Sequence, residues 1–175
     1  MLPNTPEFPI TYFACQKLGA VAVTLNVMST SHELRHLLDN SDAKALFTAA
    51  QSARRFEEIR DGLATCRHLL LTEVDEGPLS MKRVLEAGPF EFDPSDAAED
   101  DPAVMIYTAG LTGKPLGAVL THGNLISQSR LLADLFDGSQ KDTGLSLIPL
   151  FHSFGAVANM LNPILMGACV VMLDA

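Results

Sequence analysis

Ile106-Tyr107-Thr108-Ala109-Gly110-Leu111-Thr112-Gly113-Lys114-Pro115-Leu116-Gly117 is the stretch on which the reading of this chain turns. It lies between two runs with strand character, Ala103 to Thr108 and Gly117 to Leu120. Gly110, Gly113 and Gly117 permit backbone conformations with positive φ and let main-chain amides approach an anion. Thr108 and Thr112 add hydroxyls, and Lys114 adds a charge. These are the parts of a phosphate cradle. On composition alone the alternative is a flexible surface hairpin. A Walker A loop fits worse: it needs G-x-x-x-x-G-K-[ST] running into a helix. Here Gly110 is only three residues before Gly113, and Pro115 stands where the metal-binding hydroxyl belongs.

On the N-terminal side of this segment, short apolar runs alternate with amphipathic ones. Pro6 to Leu18 carries Phe8, Ile10, Tyr12 and Phe13 near helical spacing, with Gly19 as a stop. Ala20 to Leu25 reads as a strand covered on both faces. Thr30 and Glu33 form a capping-box pair ahead of Leu34, Leu37 and Leu38, on a helix that fades at Asn40-Ser41. Lys44 to Thr48 reads as a strand, Ser52 to Leu63 as a helix supported by an Arg54 to Glu58 pair, and His68 to Glu73 as another strand. Glu91, Asp93, Asp96, Glu99, Asp100 and Asp101 around Pro94 read as a solvated connector. On the C-terminal side, Asn124 to Phe136 is an amphipathic helix entered through Thr121-His122-Gly123. Leu145 to Ile148, a helix after Ser153, and Cys169 to Leu173 follow. Alternation of this kind predicts α/β layers with parallel strands.

The 175 residues, 47% of them hydrophobic, suffice for one domain with a real core or for part of a larger one. A net charge of -9 with no basic patch argues against a nucleic-acid partner, although a local amide-rich pocket for a phosphate remains allowed. Cys15, Cys66 and Cys169 are odd in number and widely spaced, so no disulfide framework is expected and a reducing cytoplasm fits best. Pro3, Pro6, Glu7 and Pro9 interrupt the first stretch and exclude a signal peptide pattern. Asn159, Asn162 and Pro163 break the longest apolar region, so no membrane span is expected.

His32-Glu33-Leu34-Arg35-His36 matches H-E-x-x-H, the helical zinc-hydrolase signature. Two observations oppose that reading. No third-ligand motif follows, and at about 100° per residue the three leucines gather on the face opposite His32 and His36. The histidines are expected to face solvent.

The glycine-rich segment resembles the phosphate-binding motif of adenylate-forming (AMP-binding) enzymes, Y-T-S-G-T-T-G-x-P-K-G, and here Ala118-Val119-Leu120-Thr121-His122-Gly123-Asn124-Leu125 follows it. The resemblance extends upstream through Leu2-Pro3-Asn4, Ala14-Cys15-Gln16-Lys17-Leu18-Gly19-Ala20-Val21 and Asp100-Asp101-Pro102. Downstream it continues through Pro149-Leu150-Phe151-His152-Ser153-Phe154-Gly155. It implies ATP-dependent joining of a carboxylate to the α-phosphate with release of pyrophosphate, then transfer of the acyl group to coenzyme A, with Mg2+ assisting. Thr108, Gly110, Thr112, Gly113 and Lys114 would face the phosphates. His152 would lie near the acyl or adenylate pocket as a possible catalytic group, and Phe151, Phe154 and Gly155 would shape that pocket. The wording of Ala14 to Ala20 and Phe151 to Gly155 is most similar to long- and medium-chain acyl-CoA ligases, which implies a fatty acid as the carboxylate. His152 taken alone reads equally as a helix-terminal or core histidine.

Three positions depart from the motif: Ala109 replaces serine, Leu111 threonine or serine, and Leu116 lysine. Each donor lost to a phosphate oxygen removes roughly 1.5 to 3 kcal/mol of charge-assisted bonding. Weak nucleotide binding is expected. On the same resemblance, residues 1–175 are expected to form a truncated, layered parallel-sheet part of a large N-terminal domain, without the C-terminal domain. Such a chain is expected to be inactive alone, and to associate with itself or a completing partner through exposed sheet surface. The alternative is a non-catalytic nucleotide-binding or interaction module on the same fold.

Overall fold

A computed structural model describes residues 1–88, 91–108 and 115–173. The chain begins with α1 (Glu7–Lys17), β1 (Ala22–Thr24) and α2 (Ser31–Asn40). A βαβ unit follows: β2 (Ala45–Ala49), α3 (Ala53–Glu57), β3 (His68–Thr72), and then α4 (Met81–Glu86). After the acidic connector come β4 (Pro102–Thr108), β5 (Leu116–Thr121), α5 (His122–Phe136) and β6 (Thr143–Ser146). α6 (Ser153–Ala156), α7 (Asn162–Met166) and β7 (Cys169–Met172) close the order, with a π-helical stretch, Val157–Leu161, joining α6 to α7.

Three sheet pieces result. β1 pairs in parallel with β4, β2 with β3, and β6 with β7. β5 departs from the parallel expectation and runs antiparallel to β4, because the link between Thr108 and Leu116 is too short for the dozen or so residues a parallel crossover needs. The β1–β4 pair is buried on both faces. Val104 and Ile106 turn into one core with Phe8, Tyr12, Leu125, Leu150 and Met160, whereas Val23 and Tyr107 turn to a second core. That second core joins Leu34, Leu37 and Leu38 of α2 to Leu46, Phe56 and Leu69.

α2 follows its sequence pattern closely. The Thr30 hydroxyl accepts the Glu33 N–H, and the Glu33 carboxylate accepts the Thr30 N–H at 2.8 Å. The leucines are buried, His32 is exposed and His36 is half-exposed. Ser52 to Leu63 is broken, in contrast to the single expected helix. It consists of two 3₁₀ turns, Ala50–Ser52 and Arg60–Gly62, around the short α3. Arg54 and Glu58 do meet at 3.0 Å, but the pair is exposed, and a contact of about 0.3–0.5 kcal/mol does not offset helix nucleation in so short a segment. α4, which the periodicity does not single out, starts at Ser80, whose hydroxyl accepts the Arg83 N–H.

The acidic connector lies exposed and caps its neighbours. Glu99 O accepts Gly123 N–H at 2.7 Å and Asp101 O accepts His122 N–H at 3.2 Å, satisfying first-turn amides of α5. Thr121 and Asn124 close a reciprocal capping box there. α1 ends at Lys17, and after its C-cap Leu18 comes Gly19, whose φ of +67° suits glycine and where a Cβ would sit 2.5 Å from Ser95 Oγ. Among the described residues no helix is long and apolar enough to cross a membrane.

Candidate functional site

In an open α/β sheet, ligands gather outside the carboxyl ends of parallel strands. β1 and β4 end together here: Thr24 sits opposite Ile106, two residues before Thr108. Thr108 faces Leu116 across the antiparallel pair, and its hydroxyl reaches Leu116 O only at 3.5 Å, the outer limit of a hydrogen bond. Thr108 is exposed. Gly110, Thr112, Gly113 and Lys114, with Ala109 and Leu111, lie outside the described residues. The strands that flank them, β4 and β5, pair antiparallel.

Two anchors fix the flanks. The Tyr107 hydroxyl lies 2.7 Å from Asn40 Oδ1 and 3.1 Å from Leu37 O, tying the end of β4 to the end of α2. Burial pushes the Tyr107 phenol above its ordinary pKa. On the other strand Gly117 lets Met105 lie close, since a Cβ there would come within 2.9 Å of the Met105 sulfur. Leu116 itself is 62% exposed and packs into neither core.

The second group of expected residues leaves the carboxyl end of β6. The strand stops at Ser146, earlier than the expected Leu145 to Ile148, because Asn4 takes the next backbone groups. Its amide donates to Ile148 O at 3.1 Å and accepts Leu150 N–H at 2.8 Å. The Thr24 hydroxyl donates to Phe151 O at 2.8 Å. Through Thr24, Phe151 and His152 come to the same strand ends as Thr108.

His152 is the N-cap residue of α6, exposed and with no side-chain cap bond, so it is helix-terminal in position and not a core histidine. Its ring lies 4.3 Å from that of half-buried Phe151. Gly155 is buried against the turn, where a Cβ would stand 2.2 Å from Pro149 O. Phe154 points outward and is 61% exposed. The π-helical stretch beginning at Val157 continues from this turn, a distortion frequent at functional sites.

These residues form an open shelf. The concavities found elsewhere, about 470 Å³ beside α4 and about 260 Å³ between α1, α5 and α7, are lined by neither Thr108 nor His152. Among the described residues no three His, Cys, Asp or Glu side chains gather as metal ligands, and Glu33 of the H-E-x-x-H match is engaged in capping α2. Asn4 and Thr24 carry the shelf without having stood out as polar anchors in the sequence. An asparagine just before a helix and a threonine in an apolar strand run were the available signals.

The profile of the AMP-binding enzyme family matches residues 1–175. The chain belongs to that family. It is 33% identical over 177 residues to an indoleacetate–CoA ligase of Aromatoleum aromaticum, covering 97% of this chain and 33% of that protein. Among solved structures, it superposes on a long-chain-fatty-acid-CoA ligase of Archaeoglobus fulgidus with a TM-score of 0.85 at 30% identity, covering 98% of this chain and 34% of that one. It also superposes on an anthranilate CoA ligase in complex with anthranoyl-AMP, with a TM-score of 0.87 at 26% identity, covering 100% of this chain and 35% of that one. This AMP-binding family chain spans about a third of the length of the curated relatives it matches.

Proposed function

We propose that this chain is part of the N-terminal domain of a CoA ligase that activates a carboxylic acid with ATP, and that it supplies the phosphate-binding hairpin and one wall of the acid site. The observation that carries the reading is that Thr24 holds Phe151 at the carboxyl end of β1, beside the strand β4 that runs on to Thr108. ATP would present its α-phosphorus to the carboxylate there, with pyrophosphate leaving and Mg2+ offsetting phosphate charge. Thr108 and residues 110–114 would donate to the phosphate oxygens, worth most where they are already in place before charge develops. Phe151 would offer an apolar surface to the acid, and His152 a donor beside it.

The structural neighbour from Archaeoglobus favours a fatty acid, whereas the indoleacetate and coumarate ligases among the relatives favour an aromatic one. We take the fatty acid as the first substrate to test. Ala109, Leu111 and Leu116 weaken the grip on ATP, so turnover by this chain alone should be slight. Exposed Leu131, Leu135 and Phe136 on α5, with Leu145 and Leu147 around β6, support association with itself or a completing partner. A cytoplasmic setting suits its free cysteines. The non-catalytic alternative would gain if Leu116 packed into the sheet, and its exposure favours the enzymatic reading.

ATP–pyrophosphate exchange with Mg2+ and a panel of fatty and aromatic acids tests this function. Exchange near background is expected for the unaltered chain, and a measurable rise once Ala109→Ser, Leu111→Thr and Leu116→Lys are combined. A combined variant that neither exchanges nor binds ATP would overturn the reading.

A further inference from the structure

The loop from Ile148 to Phe151 is held by side chains far away in sequence rather than by its own strand. Asn4 is 5% exposed and spends both halves of its amide on this loop, donating to Ile148 O and accepting from Leu150 N–H. Thr24, 6% exposed at the end of β1, donates to Phe151 O. The loop then turns on His152 N–H to Pro149 O at 3.1 Å and enters α6 through Ala156 N–H to His152 O at 2.8 Å. Leu150 is fully buried beneath it, and Gly155 leaves no room for a Cβ against Pro149. Exposed His152 therefore stands on a backbone in which Ile148 O, Pro149 O, Leu150 N–H, Phe151 O and both groups of His152 are engaged.

We propose that Asn4 and Thr24 are positioning residues for the acid site, fixing the Ile148–Phe151 backbone so that Phe151 and His152 are presented at the strand ends beside Thr108. The proposal rests on the reading of that shelf as the acid site. The chemistry of the two side chains supports it. The first contact pair needs a donor and an acceptor together, which a neutral amide provides and a carboxylate does not. The second needs a hydroxyl at the end of β1, where valine would fill the same space without donating. Freed of these bonds, the loop would keep its buried Leu150 but lose its register, and buried carbonyls would be left without donors.

Amide hydrogen exchange and the imidazole resonances of His152, recorded with and without decanoate, separate positioning from simple stabilisation. In Thr24→Val and Asn4→Asp, the Leu150 to Ser153 amides are expected to exchange about tenfold faster or more. The β2 and β3 amides should be unchanged, and the decanoate-induced shift of His152 lost. Thr24→Ser should restore both. Unchanged loop exchange in Thr24→Val, an equal rise throughout the chain, or a retained His152 shift on a loosened loop would overturn the proposal. If decanoate moves His152 in no protein, the unaltered one included, while Thr24→Val still loosens the loop, the acid-site reading fails and only the clamp on the loop is supported.

Discussion

The α2–β2–β3 region and the α5–β6–β7 region are built from similarly apolar elements but dispose of their apolar side chains differently. In the first, Leu34, Leu37, Leu38, Phe56 and Leu69 close on one another, and the opposite face of α2 is polar. In the second, Leu125 and Ser129 of α5 are buried while Leu131, Leu135 and Phe136 stay exposed, the last at 71%. A helical period shows which face of an element is apolar; it does not show what covers that face. The candidate site lies where the two regions meet, with Tyr107 tied to α2 on one side and Thr24 holding the His152 loop on the other.

The contrast is sharpest in stability. Leu34→Ala should lower the unfolding free energy by about 2–5 kcal/mol in urea titrations, because a fully buried leucine leaves a cavity. Leu135→Ala should stay within about 0.5 kcal/mol, as surface substitutions do. The pair Leu135→Ser and Phe136→Ser should reduce hydrophobic dye binding and concentration-dependent sedimentation without lowering stability. A large cost at Leu135 would mean that this face is covered in solution, and the comparison would break.

Tyr107→Phe is the intermediate case. It removes the hydroxyl that joins β4 to Asn40 and should cost about 1 kcal/mol, read by the same denaturant titrations. The smallest effect is at the α2 cap. Hydrogen bonds from the Thr30 N–H and hydroxyl hold the Glu33 carboxyl below its ordinary value of 4.5. Its contribution is therefore present above that pH and lost as pH falls through the lowered folded value. Because the group is almost wholly exposed, the effect is about 0.5 kcal/mol at most. Glu33→Gln should flatten the acid limb of the stability profile by that amount.

The capping box at Thr30, the entry to α5 at Thr121-His122-Gly123, the strand before the glycine-rich segment and the leucine face of α2 were legible because each is set by residues near in sequence. The broken helix after Ser52 was not, since a local salt bridge pointed to a longer one than packing on Phe56 sustains. The early end of β6 and the mounting of His152 were hidden for another reason. They depend on Asn4 and Thr24, more than a hundred residues away, and no periodicity encodes such a bond.

The measurement that bears most directly on the account is a titration of Mg-ATP into the unaltered chain and into Leu116→Lys, followed at the amides of Thr108 and Gly117 that flank the glycine-rich segment. Saturable shifts confined to those flanks are predicted in both proteins, with affinity tighter by about tenfold or more in Leu116→Lys, as one added charge-assisted bond requires. Shifts in neither protein, or an affinity that the lysine leaves unchanged, would contradict it.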